Sequence, residues 1–275
     1  MIVIPGMENI YMVNLLYDKN KKVVVAENYN ELTTKQYLKI VKLLHAGISN
    51  ELEALDKALF IVSNKSFVKF FMINAYARSL MHEHIIWVFE QKEITKQHLT
   101  SYKNFFGPAD DFENLRMKEF HAAEMAFYKL SEEQGIDYLN ELIAILYRPA
   151  KKDYDLKRNV DGDVRICFNT NETEFFKYKI KRWPLNIKRA ILMWYHGCRQ
   201  QLEENYKPVF EGNQTSYKNY YDGMYGMMRS IAEKKTYGNF DEVGDLYVHL
   251  AFKEIVETKL EEDELKRQYS DLYKK

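Results

Sequence analysis

Cysteine, proline and long apolar runs are scarce in this chain, and neither sign of charge dominates it. Its 275 residues hold only two cysteines, Cys167 and Cys198, which excludes a disulfide-dense secreted scaffold. Residues Met1–Asn9 show neither a basic start nor a long apolar stretch, so no export signal is expected and both thiols are expected reduced, in a cytosol. No segment approaches the ~18 apolar residues of a membrane span, so no membrane partner is expected. Forty basic residues face forty acidic ones, with a pI near 7.1. The basic runs Lys19–Lys22, Lys151–Lys152 and Lys177–Arg182 are short and have acids nearby. They read as solvated loops, and no nucleic-acid partner is expected.

Apolar side chains make up 46% of the sequence, enough for a sizeable core spread along the whole length. Aromatics reach 15%, with 21 Tyr and 16 Phe. Tyr gives contact area with a polar tip, which suits a protein that works in contact with partners. AT-rich coding explains the same excess equally well.

The spacing predicts a mainly α multi-helix protein, with an N-terminal β-hairpin and a small β-containing connector near the middle. Ile10–Tyr17 and Val23–Ala26 flank a polar turn and read as the hairpin. Thr33 and Gln36 match a capping box before a helix bearing Tyr37, Val41 and Leu44 and ending at Gly47. Leu52, Leu55, Leu59 and Val62 predict a second helix, and residues 66–91 a longer one. Thr95 is expected to cap a short helix that ends before Gly107-Pro108. A helix from Asp110 or Asp111 carries Leu115, Phe120, Ala123, Phe127 and Leu130. Gly135 breaks it, and Ile136–Tyr147 continues to the stop at Pro149.

Residues 150–182 are charged and turn-rich, and Val164–Phe168 and Phe175–Ile180 read as short strands. Pro184 suits the first position of a helix carrying Ile191, Trp194, Cys198 and Leu202. Helices at about 217–234 and 241–273 complete the chain, the second opened by an Asn239/Glu242 capping box. Three segments follow: 1–149, hairpin plus helices; 150–182, connector; 183–275, C-terminal helices that are free to pack with the first segment.

Candidate chemistry is thin. His82-Glu83-His84 is the densest set of potential metal ligands, but i, i+2 neighbours on a helix point to different faces. A structural or surface role outweighs a metal site. His121 and Glu124 share a helix face, yet no other helix supplies the matching set that a di-metal bundle needs. Cys198 lies near His196 in sequence, and its spacing from Trp194 and Leu202 favours the core. Gly223 and Gly226 form no phosphate loop, and no G-x-S-x-G is present. No catalytic residue, cofactor or metal is expected. The segment Tyr220–Met228 is rich in Tyr and Met, and two readings compete for it. One is an adaptable docking surface formed by Tyr221, Met224, Tyr225, Met227 and Met228; the other is a helix start that buries its methionines.

Three blocks carry a family resemblance. The first is Glu31-Leu32-Thr33-Thr34-Lys35-Gln36-Tyr37-Leu38-Lys39-Ile40. The second is Leu142–Pro149, followed after a polar connector by Pro184-Leu185-Asn186 and Trp194-Tyr195-His196-Gly197. The third is Tyr225-Gly226-Met227-Met228-Arg229-Ser230-Ile231-Ala232, then Phe240-Asp241-Glu242-Val243 and a closing helix. In this order the blocks resemble the tail-assembly chaperones of tailed bacteriophages and prophages of the Bacteroidetes type. Met227 stands where that family has a tryptophan. The resemblance covers about half the chain in scattered blocks. It implies a non-enzymatic protein of the host cytoplasm. Such a protein coats the apolar tape-measure protein until tail-tube subunits replace it, with other tail proteins or copies of itself as further partners. A structural virion protein of the neck, tail or baseplate is the second reading, and a small enzyme the third.

Overall fold

Local capping chemistry opens the first long helix. In the computed structural model, which describes residues 25–63, 65–152, 154, 162–210 and 217–273, the Thr33 side chain accepts from the Gln36 amide. The Gln36 side chain in turn accepts from the Thr33 amide at 3.0 Å. Helix α1 (Thr34–Leu44) then buries Tyr37, Ile40 and Val41. The described residues are 67% helix in 13 α-helices, with one small three-stranded antiparallel sheet. The expected N-terminal hairpin falls largely on residues 1–24, outside the described residues.

The chain divides into two units, interleaved in sequence. The first comprises residues up to His98 and Pro184–Gly197. After α1 it contains α2 (Glu51–Val62), α3 (Phe67–Phe71), α4 (Ala75–His82) and α5 (Trp87–Glu90). Tyr29 is fully buried and donates from its hydroxyl to the Val88 carbonyl; burial pushes its phenol pKa well up. Tyr37 donates to the Ala190 carbonyl at 2.7 Å, and its ring stacks on His98 at 4.4 Å.

Two expectations are corrected in this unit. Residues 66–91 are not one helix but three short ones, because Asn74 accepts from the Tyr76 amide and starts a new helix. Gln91 then takes a left-handed conformation and ends α5. No helix follows Thr95, because the Asn30 side chain claims the Thr95 and Lys96 amides at 3.1 and 2.9 Å.

The second unit comprises Leu99–Trp183 and the residues from Cys198. Strands β1 (Ser101–Tyr102), β2 (Phe105–Phe106) and β3 (Arg148–Pro149) pair in that order, with Tyr102 opposite Phe105 and Phe106 opposite Arg148. Lys103 and Asn104, both at positive φ, make the two-residue turn. Helices α6 (Met117–Glu133) and α7 (Ile136–Leu146) pack against each other, and α8 (Thr170–Ile180) packs on α7. The expectation that Phe175–Ile180 is a strand is therefore corrected. Asn169 caps this stretch by accepting from the Asn171 amide, and Phe176 and Ile180, four apart, are its buried side. Val164–Phe168 forms only an isolated bridge, Ala150 to Arg165.

Pro184 precedes helix α9 (Leu185–Asn205), whose residues 185–197 belong to the first unit and 198–205 to the second. Then come α10 (Lys207–Phe210), α11 (Tyr217–Glu233), α12 (Phe240–Gly244) and α13 (Val248–Tyr273). The Asn239/Glu242 box caps α12 rather than one long helix, because the chain turns at 245–247. No helix among the described residues is long and apolar enough to cross a membrane.

Candidate functional site

A cleft of ≈ 370 Å³ opens in the second unit between α6, α11, the start of α12 and the approach to α8. Helix α11 sets one wall. Met224, Met228 and Ile231 follow the i, i+4, i+7 spacing of one helical face, and all three are buried. Tyr225 turns outward and packs its ring on Phe240, 4.7 Å between centroids. Phe240 is held by the capping box: Asn239 Oδ1 accepts from the Asp241 and Glu242 amides at 2.9 and 3.1 Å. Helix α6 supplies Lys118, His121 and Ala122. The Lys118 ammonium pairs with Asp245 at 2.5 Å. Burial lowers the His121 pKa, against a smaller opposing pull from Glu124, so its imidazole is neutral at pH 7.

The second unit also holds a cluster of buried charge that sequence reasoning missed. Glu119, Arg148, Asp163 and Arg165 are all buried. Arg148 donates to Glu119 Oε1 at 2.7 Å, and the Arg165 guanidinium lies 3.2 Å from Glu119 Oε2. Arg165 also bonds Asp163 through Nε and Nη2, at 2.9 and 2.8 Å. Arg148 also donates to the carbonyls of Ile145 and Ile166, and Arg165 to those of Leu146 and Asn114. Two cations thus meet two anions, and each guanidinium nitrogen has an acceptor, while Glu119 Oε2 meets Arg165 as an ion pair without a hydrogen bond. Desolvation still lowers the Arg148 pKa. The Arg148 guanidinium lies 5.8 Å from the ring of Phe168, which lines the cleft. The one local signal was a charged residue inside the apolar run Ile143–Tyr147-Arg148-Pro149.

The structure divides the five candidate contact residues. Met224 and Met228 are 1% and 4% exposed, whereas Tyr225 is 45% exposed. Met227 is half-buried. Tyr221 lies on α11, but its side chain falls outside the described residues. Tyr225 and Met228 both line the cleft. Among the earlier candidates, His82 bonds Asp56 at 2.9 Å. Glu124 pairs with Arg199 at 2.9 Å. Cys198 is buried, which pushes its thiol pKa well up. Gly223 and Gly226 sit inside α11, so neither belongs to a loop. Among the described residues, no three His, Cys, Asp or Glu side chains lie together so as to hold a metal ion.

The cleft is walled by the rings of Phe168, Tyr225 and Phe240, the Met228 thioether and Ala122, with Asn169, Thr170, a paired ammonium and a neutral imidazole at the side. Such a surface can hold an apolar side chain reversibly. No family model matches the chain, and neither a curated protein nor a solved structure matches it.

Proposed function

We propose that this chain is a non-enzymatic tail-assembly chaperone that binds the tape-measure protein in the cytoplasm of a phage-infected or prophage-bearing host. The observation that carries the reading is the ordered set of three sequence blocks, 31–40, 142–149 with 184–197, and 225–243. Exposed apolar surface supports it. Chaperoning a long apolar partner needs contacts that are individually weak, tolerant of sequence and readily reversed. Tyr225 and the half-buried Met227 offer such contacts beside the cleft. Met228 lines the cleft from the buried side of α11. The work requires neither cofactor nor active site.

The test is a binding measurement on a tape-measure fragment from the same genome. Tyr225→Ser and Met227→Ser are expected to weaken capture while the variants melt as the parent does. Undiminished capture by the double variant removes the site. Mass spectrometry of purified particles separates the chaperone from a virion component, since stoichiometric presence in virions contradicts the chaperone reading.

A further inference from the structure

One wall of the cleft can change its charge. Helix α6 places Lys118 and His121 one turn apart, and both line the cleft. The facing walls are rings, a thioether, an amide and a hydroxyl, and no described Asp or Glu lines the cleft. His121 is half-buried, so the cleft is where water reaches its imidazole. That water is what favours the charged form of a histidine. An apolar side chain entering the cleft displaces it and offers no acceptor in return. An imidazolium would then stand dry beside the Lys118 ammonium.

The carboxylates around α6 are engaged elsewhere. Glu124, one turn beyond His121, is buried and accepts from Arg199 Nε with both oxygens, at 3.1 and 2.9 Å; Arg199 also holds Glu203 at 2.6 Å. Glu119 pairs with Arg148 and Arg165, and Asp245 with Lys118. Helices α7, α11, α12 and α13 pack on α6. Helix α7 brings Asp137 and Glu141, both within 4.0 Å of the Lys177 ammonium. Helix α11 brings Arg229, which pairs with Glu233. Helix α12 brings Asp241 and Glu242, the latter bonded to the Asn239 amide. Helix α13 brings Glu254, 3.6 Å from the Lys234 ammonium. None of these groups lines the cleft, so none replaces the lost water.

We propose that the cleft is gated by a proton: a proton on His121 and an apolar side chain in the cleft exclude each other, so acidification releases the occupant. The gate rests on the reading of the cleft as a receptor for apolar side chains, not on the identity of the partner. Its sign is fixed. The neutral imidazole accepts an occupant, and burial holds the His121 pKa below the ordinary 6.5. Affinity is therefore flat above that pH and falls as pH drops below it.

N-phenyl-1-naphthylamine, an uncharged aromatic dye, is the probe. It is titrated into the full chain from about pH 7.5 to about pH 5, over the range in which the circular-dichroism spectrum is unchanged. Its affinity is expected to fall by about threefold or more. Saturating dye is expected to lower the His121 pKa, followed through its imidazole NMR resonance, by about half a pH unit or more, since both measurements read one coupling. His121→Gln is expected to bind the dye with an affinity, whatever its size, that no longer changes with pH. A His121 resonance that the dye leaves unmoved removes the receptor reading and the gate together. A resonance that moves, with a pKa and a dye affinity that do not, overturns the gate alone, as does a pH dependence that survives in His121→Gln.

Discussion

Glu119 holds two guanidiniums that have no water to turn to, since Arg148 and Arg165 are buried with it. Removing its charge leaves an excess of buried cation. Glu119→Gln is expected to cost about 3–5 kcal/mol in chemical denaturation, the usual result of breaking a buried pair from one side. A loss below 1 kcal/mol, read as ~1 for an ordinary hydrogen bond, means the network is hydrated. Met224 and Tyr225 make a second residue-scale contrast. Met224→Ala is expected to destabilise by about 2–5 kcal/mol through lost packing, whereas Tyr225→Ser, on a half-exposed side chain, changes capture more than melting. His121 gives a pH signature. Its folded pKa lies below its ordinary 6.5, so the unfolded chain binds the extra proton first, and stability falls as pH drops below that value. His121→Gln is expected to flatten that part of the melting-temperature profile relative to the parent.

At the level of elements, α11 and α9 contain glycines with opposite consequences. A Cβ on Gly226 meets nothing within 4 Å, so Gly226→Ala is expected to stabilise by about 0.5–1 kcal/mol through helix propensity. A Cβ on Gly197 stands 2.6 Å from the Ile94 backbone carbonyl oxygen. Gly197→Ala therefore forces helix and loop apart, and a loss of about 1–3 kcal/mol or more is expected in the same denaturation assay. The same contrast between local and distant causes explains what could be read from sequence. Both capping boxes, Thr33/Gln36 and Asn239/Glu242, were legible because four consecutive residues contain all their chemistry. The breaks at Gly135 and Pro149 were legible for the same reason. The loop after Thr95 was not, because the residue that claims its amides is Asn30. Phe175–Ile180 alternates in sequence, but its burial follows α8's contact with α7, which no local pattern encodes. The Glu119 network joins α6, β3 and the residues before α8, so it emerges only when those elements meet.

For the whole molecule, two interleaved units are built mainly from helices, and each presents exposed apolar side chains: the Phe knob of α3 in one, Tyr225 and the end of α13 in the other. On α11, Met224 and Met228 are buried while Tyr225 faces outward, and the knob at 67–72 lies where the sequence spacing alone predicts the interior of one long helix. Exposed aromatic surface is suited to capture and release rather than to a permanent core. The central claim is that this surface receives an apolar tail protein. Co-expression of the full chain with the tape-measure protein of the same genome, followed by affinity purification, tests it most directly. The account predicts that the two proteins co-purify and that tape-measure protein expressed alone aggregates; tape-measure protein that is equally soluble and unbound with the chain present contradicts it.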